Sequence, residues 1–176
     1  PADGSPSYEF DIDYHGFSYQ GNISVAQEWH VFFFGGYELK ESALMEDVLR
    51  SLPSPVAFDI GANLGGHTLV MAKHAREEHA FEPFGRLADS IKRRALTGVQ
   101  GRVVVHQFGL GETDEHRAYY LDESSNNSGT GSFIEEHAFA PQIDTLPLGR
   151  GDTWADGRHV DFIKIDVEGY EAMALS

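Results

Sequence analysis

The spacing of apolar residues changes several times along this chain, and each change marks an element. Tyr8-Glu-Phe10-Asp-Ile12-Asp-Tyr14 alternates apolar with acidic residues, the pattern of a half-exposed strand. His15-Gly16 reads as a turn, Phe17-Ser-Tyr19 resumes the alternation, and Gly21-Asn22 is a second turn signal. Val31-Phe-Phe-Phe34 is a continuous apolar run closed by Gly35-Gly36, which reads as a buried strand. Residues 8–34 are therefore expected to form an antiparallel accessory sheet with its aromatic side chains in the core, after a polar, frayed start over residues 1–7. Leu44, Met45, Val48, Leu49 and Leu52 recur at helical spacing and predict an amphipathic helix over residues 41–52. Ser51 to Pro55 ends it.

From Val56 the pattern becomes that of alternating strands and helices. Val56-Ala-Phe58 is apolar on both faces, as in a parallel sheet. A glycine-rich turn follows, then Leu69-Val-Met-Ala72 as the buried side of a helix that runs to about Arg76, with Glu77-Glu-His79 as its charged exit. Ala80-Phe81 is a second strand with Glu82 at its tip and Pro83 opening the next turn. Leu87, Ile91 and Ala95 line a second helix, Lys92-Arg-Arg94 read as its solvated face, and Thr97-Gly98 with Gly101 stop it. Val103-Val-Val105 with Phe108 is a third strand, closed by Gly109-Leu-Gly111. Ala118-Tyr-Tyr-Leu121 and Phe133-Ile134 read as short strands around a polar loop, Ser124 to Ser132. That loop is either ordinary surface or a segment that closes over a substrate. Gly149 to Gly157 is a loop with a short helical turn. Val160-Asp-Phe-Ile-Lys-Ile-Asp166 is a fourth parallel strand, and Tyr170 begins another helix.

Composition narrows the function. Hydrophobic residues make up 41% of 176, enough for one globular domain that buries about 70% of its unfolded surface. The absence of cysteine excludes disulfides and thiolate metal sites. No apolar run approaches a membrane span and no leader is visible, so no membrane role and a cytoplasmic location are expected. A net charge of −15 argues against a nucleic-acid partner. The nine histidines show no zinc spacing, and no G-x-S-x-G nucleophile is present.

The glycine turn carries the candidate chemistry. Its run Gly61-Ala-Asn63-Leu-Gly65-Gly66 does not match the dinucleotide fingerprint, and Asp59 at the strand end would repel a pyrophosphate. A ligand without phosphate and with positive charge suits it better. S-adenosylmethionine (SAM) has an ammonium, a sulfonium, and a ribose whose hydroxyls want a carboxylate. Glu82, at the next strand end, is placed for that ribose. Asp59, Gly61, Asn63, Gly65, His67, Glu82 and Pro83 are the candidate cofactor-binding residues. At the end of strand four, Asp166 and Glu168 are candidates for removing a proton from an acceptor, and Asp166 for holding a divalent cation, which is possible but not favoured. Lys164 sits in an apolar strand, where it needs a partner, and shares a face with Asp166. A structural alternative has Lys164 paired with Asp166, and Glu168 capping the next helix.

Three segments together carry a resemblance. Phe58-Asp-Ile-Gly-Ala-Asn-Leu-Gly65, Phe81-Glu-Pro83, and Asp161-Phe-Ile-Lys-Ile-Asp-Val-Glu-Gly169 with Glu171 look like the FkbM family of methyltransferases. The resemblance implies a Rossmann-like α/β fold with parallel strand order 3-2-1-4, preceded by a β extension over residues 1–52. It implies methyl transfer from SAM to a hydroxyl of a sugar or natural product, with Lys164, Asp166 and Glu168 as catalytic candidates. It also places Tyr37-Glu38 near the cofactor, where a plain helix lead-in is the other reading, and Gly109-Leu110 beside the adenine. A complete sheet of this kind has three further strands, so residues 53–176 are expected to be a truncated SAM-binding domain. The bare edge of strand four is then expected to self-associate or to be covered by the N-terminal strands. A non-catalytic SAM-binding module and a nucleotide or NAD enzyme are the alternatives.

Overall fold

The computed structural model of the chain describes residues 6–98, 102–122, 131–138, 140–155 and 157–176. The expected fraying over residues 1–5, Gly101 as a helix stop, and the polar loop as far as Thr130 lie outside them.

The chain opens with a hairpin, β1 (Glu9–Tyr14) and β2 (Phe17–Asn22), paired from Glu9↔Asn22 to Tyr14↔Phe17. The alternation works as read, because Phe10, Tyr14, Phe17 and Tyr19 are buried while the residues between them are not. The sheet ends there. The apolar run that reads as a strand lies in a helix, α1 (Ala26–Phe34), closed by Gly35 in the left-handed region at φ 75°. A run of four apolar residues does not distinguish a strand from a helix, and here only Val31 is fully buried, while Phe33 and Phe34 stand exposed. α2 (Leu39–Ser51) follows, burying Met45 and Leu49.

The centre is a four-stranded parallel sheet in the order β5-β4-β3-β9, made of β3 (Val56–Ile60), β4 (Glu77–Phe81), β5 (Val103–His106) and β9 (Phe162–Ile165). α3 (Gly66–Ala72) links β3 to β4 and stops short of Arg76, and α4 (Gly85–Ala95) links β4 to β5. The charged exit Glu77-Glu-His79 is the first half of β4. Glu78 is wholly buried on the central strand β4, and burial pushes its carboxyl well above the ordinary range. Sheet pairing overrode the charge pattern there.

A second, three-stranded sheet is ordered β6-β8-β7, from β6 (Gly109–Leu110), β7 (Glu115–Tyr120) and β8 (Gln142–Gly149). Sequence patterning missed β8, because Pro147 within it argues against a paired strand. Phe133-Ile134 is not a strand. Ser132 makes a single bridge to Tyr120, and the chain then enters a short helix, α5 (Glu135–Ala138). Two more short helices, α6 (Gly151–Ala155) and α7 (Glu171–Ala174), flank β9 in sequence.

The hairpin and α1 share a core with α3, where Tyr14, Phe17, Tyr19 and Val31 meet Leu69, Val70 and Ala72. Arg94 completes this junction. It is not solvated: its guanidinium lies 3.8 Å over the Tyr19 ring, pairs with Glu28, and donates to the carbonyls of Gln20 and Leu64. The N-terminal strands thus pack on the α3–α4 side and do not pair with β9, whose described strand partner is β3.

Candidate functional site

A cleft lies at the carboxyl ends of β3, β4 and β9, where open parallel sheets gather ligands. Its floor is the turn after β3. Gly61 and Ala62 donate backbone N–H groups to the Phe81 carbonyl, at 3.0 and 3.1 Å. Gly61 has φ 79°, and a Cβ there would collide with the Asp166 carbonyl, so only glycine lets the β3 and β9 turns meet. Asn63 also adopts a positive φ, 51°.

Two carboxylates in the motifs take different roles. Glu82 lines the cleft and is buried; its Oε2 accepts the Asn63 N–H at 2.8 Å and its Oε1 the Phe84 N–H at 2.9 Å. Burial pushes its pKa up to about 7, against the pull of those two N–H groups. Asp59 sits behind the wall, fully buried. Its Oδ2 accepts from Thr68 Oγ1 at 2.6 Å, and its Oδ1 lies 3.1 Å from Lys164 Nζ. Gly65, at φ 82°, also stands behind the cleft, packed toward Ile91 at the start of α3. These two motif residues build the turn from behind and do not line the cleft.

Lys164 also corrects the expected pairing. Asp59 is its near partner, the Gly61 carbonyl accepts from it at 3.2 Å, and Asp166 Oδ2 is further away, at 3.9 Å. Burial pulls the ammonium down, but Asp59, Asp166 and Glu38 outweigh that and leave it above its ordinary value. Asp166 lines the cleft with more than half of its side chain exposed. Glu168 lines it too, at φ 50°, and its carbonyl accepts from Ser132 Oγ at 2.8 Å. The cap on the following turn is Glu171, whose Oε1 accepts from Val167 and Gly169.

The remaining wall comes from both directions in the chain. Pro83, Gly109 and Leu110 line it beyond β4 and β5. On the other side Tyr37, Glu38 and His67 line it. His67 is buried, its pKa lowered mainly by desolvation, with Nε2 3.7 Å from Glu38 Oε2. Sequence reasoning missed Gln27, Tyr119 and Phe133, which also line the cleft. By pattern Tyr119 and Phe133 are only strand residues, and no local signal singles out Gln27. Among the described residues no group of three or more His, Cys, Asp or Glu side chains is arranged to hold a metal. No helix among them is long and apolar enough to cross a membrane.

Among solved structures, the chain is similar over 61% of its length to a SAM-dependent methyltransferase from Agrobacterium tumefaciens, at 11% identity and a TM-score of 0.46. The chain spans 34% of that protein's length. No curated protein sequence matches it. The model of the methyltransferase FkbM domain matches residues 59–176, from the buried carboxylate of the central turn through the acids after β9, and the chain belongs to that family.

Proposed function

We propose that this cleft binds SAM and serves methyl transfer to a hydroxyl oxygen of a small molecule, a sugar or natural product. The observation that carries the reading is the charge of the cleft. Glu38, Glu82, Asp166 and Glu168 line it, while the Lys164 ammonium is engaged by Asp59. Such a wall disfavours a phosphate-bearing ligand and suits a cationic one. The residues present fit SAM: a cationic ligand meets acids, and Glu82 still has acceptor capacity for ribose hydroxyls beside its two backbone partners.

When bound, SAM supplies a methyl group on a sulfonium sulfur, which departs as a neutral thioether. The protein's part is alignment and proton removal. Glu82 fixes the ribose. Gly61 lets the β9 turn close against the β3 turn, which sets Asp166 beside the cleft floor. Asp166, an exposed acid at the end of β9, takes the acceptor's hydroxyl proton on Oδ1, its Oδ2 lying toward Lys164. Lys164 holds Asp166 and the Gly61 turn in register. Asp166→Asn in the intact protein, with an acceptor in hand, is expected to lower turnover by about 10²–10⁴ while SAM still binds. Full turnover with only stability reduced would make Asp166 structural. Loss of turnover on chelation by EDTA would instead assign a divalent cation to this acid.

A further inference from the structure

Residues before Asp59 lie outside the span that matches the family, yet Gln27 lines the cleft together with Tyr37 and Glu38. Gln27, on α1, is 9% exposed, and its Oε1 is buried with no hydrogen-bond partner among the described residues. The Gln27 amide nitrogen faces the start of α3, 3.8 Å from where a Cβ on Gly66 would stand. His67 beside it is also buried, and its Nε2 makes no hydrogen bond among the described residues. A buried amide oxygen without a donor is costly, so a ligand that brings a donor there gains the energy of satisfying it.

The sheet order tells which end of a ligand arrives. β4 and β9 flank β3 on opposite sides. Glu82 follows β4, whereas Glu38 and Gln27 gather at the start of α3, Glu38 Oε2 at 3.7 Å from His67 Nε2 and the Gln27 amide facing Gly66. A ligand anchored by its ribose at Glu82 therefore crosses the Gly61 turn and ends near Glu38, His67 and Gln27. From this geometry we infer that Gln27 binds the amino-acid end of SAM, its Oε1 accepting from the α-ammonium beside the Glu38 carboxylate and its amide nitrogen donating to the α-carboxylate. This assignment rests on the SAM reading above, and it makes the N-terminal helix part of the cofactor site.

Two ligands separate the claims. S-adenosylhomocysteine carries the amino-acid end, while 5′-methylthioadenosine shares the adenosine and thioether but lacks that end. Titration calorimetry on the intact protein and on Gln27→Met, which keeps the volume and removes the amide, is the test. S-adenosylhomocysteine is expected to bind the variant about 10- to 100-fold more weakly, the worth of a hydrogen bond to a charged group, with 5′-methylthioadenosine unchanged. Should the Met variant fail to fold, Gln27→Asn, which withdraws the amide by one methylene, carries the same contrast. If both ligands bind and the variant treats them alike, the Gln27 assignment falls and the SAM reading stands. If neither binds the unaltered protein, both fall.

Discussion

Replacing Lys164 by Met tests how the central turn is held. Asp59 is fully buried, and its Oδ1 has the ammonium of Lys164 at 3.1 Å, while Thr68 serves Oδ2. At that separation and an effective dielectric of about 20, the attraction is about 5 kcal/mol. Removing the lysine leaves a carboxylate buried without its counter-charge. The expected destabilisation is about 3–5 kcal/mol. Asp59→Asn alone should cost less, because the stranded ammonium keeps the Gly61 carbonyl at 3.2 Å and Asp166 at 3.9 Å. The double variant removes both charges from the interior, so its loss should fall short of the sum of the singles by about 2–3 kcal/mol. Urea unfolding at neutral pH, followed by circular dichroism on all four proteins, measures the cycle. Additive losses, or a Lys164→Met cost below about 1 kcal/mol, would refute the claim that this pair fixes β9 against β3.

The other expectations concern the cleft itself. Burial holds the Glu82 carboxyl near 7, above its ordinary value of 4.5. A raised acid contributes stability that is full below about pH 4.5 and lost as pH rises through about 7. Glu82→Gln should therefore flatten the fall in stability across that window by up to about 3 kcal/mol, and an unchanged slope in denaturant titrations at several pH values would contradict the burial argument. SAM affinity should rise over the same window as the carboxylate forms, a trend the Gln variant should lack in calorimetry. Gly61→Ala should cost at least about 2 kcal/mol in thermal or urea unfolding, since its Cβ would strike the Asp166 carbonyl at a positive φ; a well-folded Ala variant would mean that the β3 and β9 turns have room to separate.

Local pattern was sufficient where one short segment holds both the residue and its reason. The alternation through Phe10 and Tyr14, the double-sided apolar strand before the glycine turn, and the acids at the tips of β4 and β9 were all legible, because a strand's period and a turn's glycine are local properties. Tertiary structure decided what depended on partners distant in sequence. The aromatic run from Val31 became helical, with Val31 alone fully buried, against α3 and the hairpin. Arg94 looked solvated by composition and became the cation between Tyr19 and Glu28, residues more than sixty positions away. Glu78 and Pro147 entered strands because neighbouring strands supplied the pairing that their own chemistry disfavours. The same distinction divides the site. Asp59 and Glu82 both stand at strand ends in the motif, and only packing sent one behind the wall to Lys164 and the other into the cleft. Gln27 entered through α1, because the core that binds the hairpin to α3 brings that helix to the cleft wall, a relation no local window of sequence contains.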